Sequence, residues 1–118
     1  MSKREPFLLI QDMLESIQKI KSYTLGMTWQ DFQNDDKTID AVIRNFEIIG
    51  EAANRVPDDI KDRNEQINWH KIRGFRNRIV HDYMGVDLQI IWHIIENSLK
   101  ELQEQLEDVL NNRYRIIG

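Results

Sequence analysis

The segment from Asp36 to Val56, "DKTIDAVIRNFEIIGEAANRV", sets Ile39, Val42, Ile43, Phe46, Ile49, Ala53 and Val56 at three- and four-residue steps. On a backbone that turns about 100° per residue, these side chains share one face. A strand would send alternate residues to opposite faces. The spacing therefore predicts a helix with one buried stripe, capped by Asp35 or Asp36 and stopped by Pro57. Residues 5 to 24 repeat the pattern with Phe7, Ile10, Leu14 and Ile17. The tetrad "TWQD", Thr28 to Asp31, has the form of a helix start with Thr28 as cap. Residues 57 to 66 are polar and predict a turn or short helix, and a further helix is expected from about Asn68 to Tyr83, ended by Gly85. Asp87 is placed to cap one last helix, whose stripe is Leu88, Ile91, Trp92, Ile95, Leu99, Leu102, Leu106 and Val109. The tail "NNRYRIIG" is expected either to fray or to pack on a partner. With two prolines, five glycines and almost no β-branched alternation, the chain predicts an all-α fold. The expected architecture is an up-and-down bundle of three or four long helices, in one domain over residues 1–118.

Several function classes drop out on composition. No cysteine is present, so disulfides, zinc fingers and thiol nucleophiles are excluded. The net charge of −4 argues against a polybasic membrane binder or a DNA coat. The opening "MSKREPFLLIQDM" lacks the apolar run and cleavage site of a signal peptide, and no apolar stretch reaches the 18 or so residues of a membrane span. A cytoplasmic protein is expected. Asp58, Asp59 and Asp62 cluster without convincing metal-ligand spacing, so no metal or other cofactor is expected.

Against this background "RGFRNRIVHDYMGVD", residues 73 to 87, stands apart. Between His70 and His81 lie Lys71, Arg73, Arg76 and Arg78 and no carboxylate. On an ideal helix Arg73, Asn77 and His81 form a ladder at four-residue steps, with His70 on the same side. Ile72, Phe75, Ile79 and Val80 lie broadly opposite, and Arg76 falls among them near Trp69 and Tyr83. A guanidinium taken out of water needs an anionic partner; the alternative is a helix distorted near Gly74. Arg76 and His81 are roughly 140° apart, so one straight helix does not aim both at one atom. Two copies of the helix facing each other across a two-fold axis would.

An arginine fork suits phosphate. A histidine with an ordinary pKa of about 6.5 moves protons at neutral pH. Together, without a metal cluster, they suit RNA cleavage by its own 2′-hydroxyl: histidine moves the proton and arginine stabilises the charge growing on phosphate. DNA, lacking that hydroxyl, is not expected to be cut. Plainer readings compete: a solvated arginine face, a structural histidine, a core-edge Tyr83, His70 as polar surface, and His93 without a role. As alternatives to an enzyme stand a catalytically inactive helical dimer that binds RNA, nucleotide or a partner protein, and a helical scaffold with no ligand.

"RNRIVHDY" resembles the Arg-polar-x-x-x-His motif of HEPN-domain ribonucleases, and the tyrosine two places after the histidine resembles the HepT toxin subgroup. The blocks "AVIRNFEIIGEAANRVP" and "YMGVDLQIIW" are similar to flanking segments of that subgroup, so the resemblance spans nearly everything from the third helix to the last. It implies a homodimeric helical bundle with its active site between protomers. It implies a metal-independent endoribonuclease toxin with Arg76 and His81 as the catalytic pair, Asn77 in support, and Lys71, Arg73 and Arg78 available to phosphate. It further implies a cognate antitoxin, MntA, a small nucleotidyltransferase that uses ATP and magnesium to attach AMP to a tyrosine, by position Tyr83. Such a couple is a type VII toxin–antitoxin system of bacteria or archaea.

Overall fold

A computed structural model of the protein describes residues 5–74 and 87–117, with side chains through residue 112. Every regular element among them is a helix, as the periodicities predict. Helix α1 is Pro6–Thr24, α2 Trp29–Gln33, α3 Asp36–Arg55 and α4 Asp58–Arg63. Helix α5 opens at residue 69 and is described to residue 74. Helices α6, Leu88–Asn97, and α7, Leu99–Ile117, complete the order.

The helix starts are chemically explicit. Thr28 and Asp31 form a reciprocal capping box: the Asp31 amide donates to Thr28 Oγ1 at 3.1 Å and the Thr28 amide to Asp31 Oδ2 at 3.0 Å. Of the two candidates for α3, Asp35 is the cap, accepting from the Thr38 amide at 3.0 Å. That bond, with the Thr38 backbone as the leading cause, holds the Asp35 carboxyl below its ordinary range. Asp87 caps α6, accepting from the Gln89 amide at 2.9 Å. Gly26 supplies the turn between α1 and α2 with φ +77, a backbone conformation that costs other residues their Cβ clearance.

The core is one cluster to which every helix contributes. Ile10, Met13, Ile17 and Ile20 of α1, Val42 and Ala53 of α3, Phe32 of α2 and Leu106 of α7 are fully buried. On α1 the buried face is turned slightly from the expected stripe: Met13 and Ile20 are inside, while Phe7 and Leu14 are only half-buried. Helix α1 packs mainly on α3 and also on α7, so neighbours on two sides set the orientation of its apolar face. Phe32 anchors the short α2 by stacking on Trp92 of α6, ring centres 5.2 Å apart at 30°.

One expectation is corrected. The last quarter of the chain is not one continuous helix but two, divided at Ser98 (φ −113, ψ −27). Beside it Asn97 Nδ2 donates to the His93 carbonyl oxygen at 3.0 Å and approaches His93 Nδ1 at 3.2 Å. The same bond from Asn45 to the Ala41 carbonyl, at 2.8 Å, leaves α3 unbroken. The Ser98 amide still donates to the Ile94 carbonyl at 2.9 Å, so the interruption is confined to one residue. Apolar spacing continues unaltered across the break, so spacing alone carries no sign of it. The segment 57–66 resolves to the short helix α4, and the tail to the last turns of α7. None of the described helices is long and apolar enough to cross a membrane.

Phe32→Ala should cost about 3–5 kcal/mol, since it removes a fully buried aromatic that no other part of α2 replaces. Chemical denaturation followed by tryptophan fluorescence measures it. A loss under 1 kcal/mol would mean that α2 is not held by this ring.

Candidate functional site

Helix α5 carries the cationic run, and the corner before it sets its direction. The Asn64 side chain, buried at the end of α4, donates from Nδ2 to the Ile60 carbonyl at 2.8 Å. The Asn64 carbonyl in turn accepts from the indole Nε1 of Trp69 at 3.2 Å. Trp69 is itself buried, so its one polar atom is satisfied inside the core. Asn68 then caps α5, its Oδ1 accepting from the Lys71 amide at 2.9 Å. Ile72 packs against the core from this helix, as its place opposite the ladder predicts. From α7, Gln105 Nε2 donates to the Gln66 carbonyl at 3.1 Å and closes the corner.

Of the site residues expected from sequence, Lys71 and Arg73 are exposed on α5, and His70 beside them is exposed too. Arg76, Asn77, Arg78, His81 and Tyr83 lie outside the described residues, as does the turn at Gly85. Their mutual placement therefore remains the sequence-based expectation.

The structure adds a cation that sequence reasoning passed over. Lys61, on the last turn of α4, is partly buried and lies within electrostatic reach of Arg73. Burial is the larger cause, and repulsion from Arg73 the second, that lowers the Lys61 pKa; Asp58 opposes both. The sign follows directly. A lysine whose folded pKa is depressed carries a folding penalty while charged, and the penalty fades as pH rises through that lowered value toward the ordinary one. Among the described residues neither Lys61 nor Arg73 is in an ion pair, whereas Arg63 next door meets Asp59 at 3.8 Å. Two like charges held near each other, neither in an ion pair among the described residues, favour a shared anion. Nothing in the sequence signals the pairing, because twelve residues separate the two and a six-residue helix with a buried corner brings them together.

Beside α5 opens a groove of about 740 Å³, bounded by α3, the α4–α5 corner, α6 and α7. Its walls are apolar, with Ile72, Ile94 and Leu102 prominent, and His70, Lys71 and His93 stand among its lining. No group of three or more His, Asp or Glu side chains among the described residues is arranged to hold a metal ion. Asp58, Asp59 and Asp62 belong to the short helix α4, where the first two complement the dipole of its opening turn.

Comparison with known proteins agrees with these features. The family described as "HepT-like: Ribonuclease HepT-like" matches residues 13–109. Similar proteins include "Putative RNase MJ0127" of Methanocaldococcus jannaschii, 34% identical over 92% of this chain and 93% of the relative. "Probable ribonuclease HepT" of Thermococcus cleftensis is 35% identical over 83% and 89% of the two chains, and "Putative RNase TTE0752" of Caldanaerobacter subterraneus subsp. tengcongensis is 31% identical over 93% and 96%. No solved structure matches. The family match runs from the first turns of α1 to the middle of α7 and takes in the whole cationic run, and on that extent the chain belongs to the HepT-like ribonuclease family.

Proposed function

We propose that the protein is the toxin of a type VII toxin–antitoxin pair, a homodimeric endoribonuclease that needs no metal and is silenced by AMP transfer to Tyr83. The observation that carries the reading is the order Arg76, Asn77, His81, Tyr83 within a carboxylate-free cationic run, in a chain of the HepT-like ribonuclease family. The relatives named as ribonucleases support RNA as the substrate class.

In this reading the 2′-oxygen of one nucleotide attacks the adjacent phosphorus. A P–O bond forms to give a 2′,3′-cyclic phosphate, and the bond to the 5′-oxygen of the next nucleotide breaks. His81 handles the proton of the attacking or the leaving oxygen. Arg76 stabilises the charge gathering on the non-bridging oxygens, and Asn77 donates a supporting hydrogen bond. Lys71, Arg73 and Arg78, with Lys61 beside Arg73, hold neighbouring phosphates, which offsets the repulsion expected from a net charge of −4. A second copy of the chain supplies the facing helix, so that Arg76 of one protomer works with His81 of the other. Silencing is a phosphoryl transfer. The Tyr83 phenol oxygen attacks the α-phosphorus of ATP on the MntA-type partner, pyrophosphate leaves with magnesium, and the phenol proton passes to a base of that enzyme. The attached AMP then lies among arginines that otherwise take RNA and repels the incoming backbone.

His81→Ala and Arg76→Ala should each lower RNA cleavage by a factor of about 10² to 10⁴ with the helical circular dichroism unchanged. Cleavage should survive EDTA. Activity that persists in both variants, or that chelation removes, overturns the mechanism. Lys61→Gln should fold at least as stably as the parent at neutral pH, because it removes a partly buried charge. It should nevertheless bind RNA more weakly, with a salt dependence about one ion shallower; unchanged RNA affinity removes Lys61 from the phosphate track. After co-expression with the neighbouring nucleotidyltransferase, peptide mapping should find AMP on Tyr83. An adduct on Tyr23 or Tyr114 instead, or a Tyr83→Phe variant still silenced by AMP transfer, refutes that control point.

A further inference from the structure

We infer that the groove beside α5 is a nucleobase-binding site, which takes one unstacked base of the RNA next to the bond that is cut. The inference rests on the RNA-cleavage reading above and adds to it a source of sequence preference that the Arg/His chemistry, directed at phosphate and ribose, does not supply.

The groove has the dimensions and character of a small-ligand site. Its volume of about 740 Å³ falls within the roughly 300–1,000 Å³ typical of such pockets. Half-buried Ile72, Ile90, Ile94 and Leu102 offer apolar walls for the faces of a planar ring. The polar atoms among them are the kinds that a base edge needs. Asn68 uses Oδ1 to cap α5 and keeps its Nδ2 protons. Gln105 uses Nε2 to reach the Gln66 carbonyl and keeps Oε1 as an acceptor. The His93 ring is also defined: Asn97 Nδ2, oriented by the His93 carbonyl, faces Nδ1, which makes Nδ1 the acceptor and leaves the proton on Nε2. Amide donor, amide acceptor and imidazole N–H in one apolar cleft match the mixed donor–acceptor edge of a base. Single-stranded RNA is read in this manner, with bases splayed out and bonded along their edges.

Charge complementarity favours RNA over a protein in the same place. Lys71 lines the groove and Arg73 stands exposed two residues on, so a phosphate attached to the bound nucleotide meets cations at once. The lining also carries one carboxylate, Glu101 on α7, an acceptor for the exocyclic amine of a base. Gly74 in the groove's lining stands two residues before Arg76 in the sequence, so on the reading above a base seated there belongs to a nucleotide near the reacting phosphate.

Gly74 allows the test. It lines the groove, and a Cβ added there meets no atom within 4 Å, so there is room for a side chain to start from this position. Gly74→Leu narrows the groove from α5, and Ile94→Phe narrows it from α6. Cleavage of a random-sequence RNA pool by the parent protein, read by sequencing the new ends, should show a base preference of about tenfold at one position beside the cut, the worth of one or two edge hydrogen bonds. Both variants should reduce that preference to within about twofold; melting curves verify that each is folded. A folded variant pair that keeps the parent's preference overturns the inference but leaves the RNA-cleavage reading intact. Absence of any cleavage by the parent overturns both. Sedimentation showing that Ile94→Phe, on α6 rather than on the helix proposed to face its copy, dissociates an assembly of the parent would assign the groove to a second protein chain and overturn it likewise.

Discussion

Helices α1 and α3 form the frame from which the other described elements are hung. Each is about twenty residues long, and their contact is the largest between any two helices. Their fully buried side chains, Ile10, Met13, Ile17 and Ile20 on one and Val42 and Ala53 on the other, join one cluster. Helix propensity alone leaves a twenty-residue helix marginal in water, and tertiary burial of its apolar face is what makes it stable. Helix α7 adds Leu106 and Val109 to that cluster and reaches α1 again through Lys21 Nζ, which donates to Gln103 Oε1 at 2.9 Å. The cationic helix is then attached to this frame through a short corner, by Trp69, Asn64 and the Gln105–Gln66 bond. A packed frame with the cationic helix on one side is an economical arrangement, since packing and the attraction of anions place opposite demands on charge.

Charge follows the same division. The chain carries twenty acidic and sixteen Lys or Arg residues, and the pairs within α1, α3 and α4 are ordinary surface contacts at four-residue spacing, such as Lys19–Glu15 at 3.5 Å and Arg55–Glu51 at 3.4 Å. Such pairs contribute little to stability. Around α5 the pattern changes, and Lys61, Lys71 and Arg73 stand without an ion pair among the described residues. An acidic protein thus keeps its attraction for a polyanion local, which limits nonspecific adhesion to nucleic acid.

How much of this was legible in the sequence depends on the range of the forces involved. Burial of a helix face imposes a period, so the stripes of α1, α3 and α6–α7 could be read from spacing. Caps act over three residues, and Thr28 and Asp87 could be read as well; between Asp35 and Asp36 the backbone decided. The break at Ser98 was not legible, because apolar spacing runs unaltered across it. Nor was the approach of Lys61 to Arg73, which follows from the path of the chain through a buried corner. For the site itself, the spacing of Arg76, Asn77, His81 and Tyr83 gave the family, because a motif with both flanking blocks is a sequence property. Its three-dimensional arrangement is not, and those residues lie outside the described ones.

The interruption at Asn97 and Ser98 has a consequence for the groove it borders. Ile90, Ile94, Ser98, Leu102 and Gln105 form a single row along that wall, half contributed by α6 and half by α7. The row keeps its four-residue steps through the interruption, with the Ser98 amide donating to the Ile94 carbonyl at 2.9 Å and the Leu102 amide to the Ser98 carbonyl at 3.1 Å. Two helices therefore build one unbroken wall, and Ser98, where one hands over to the other, stands at its middle.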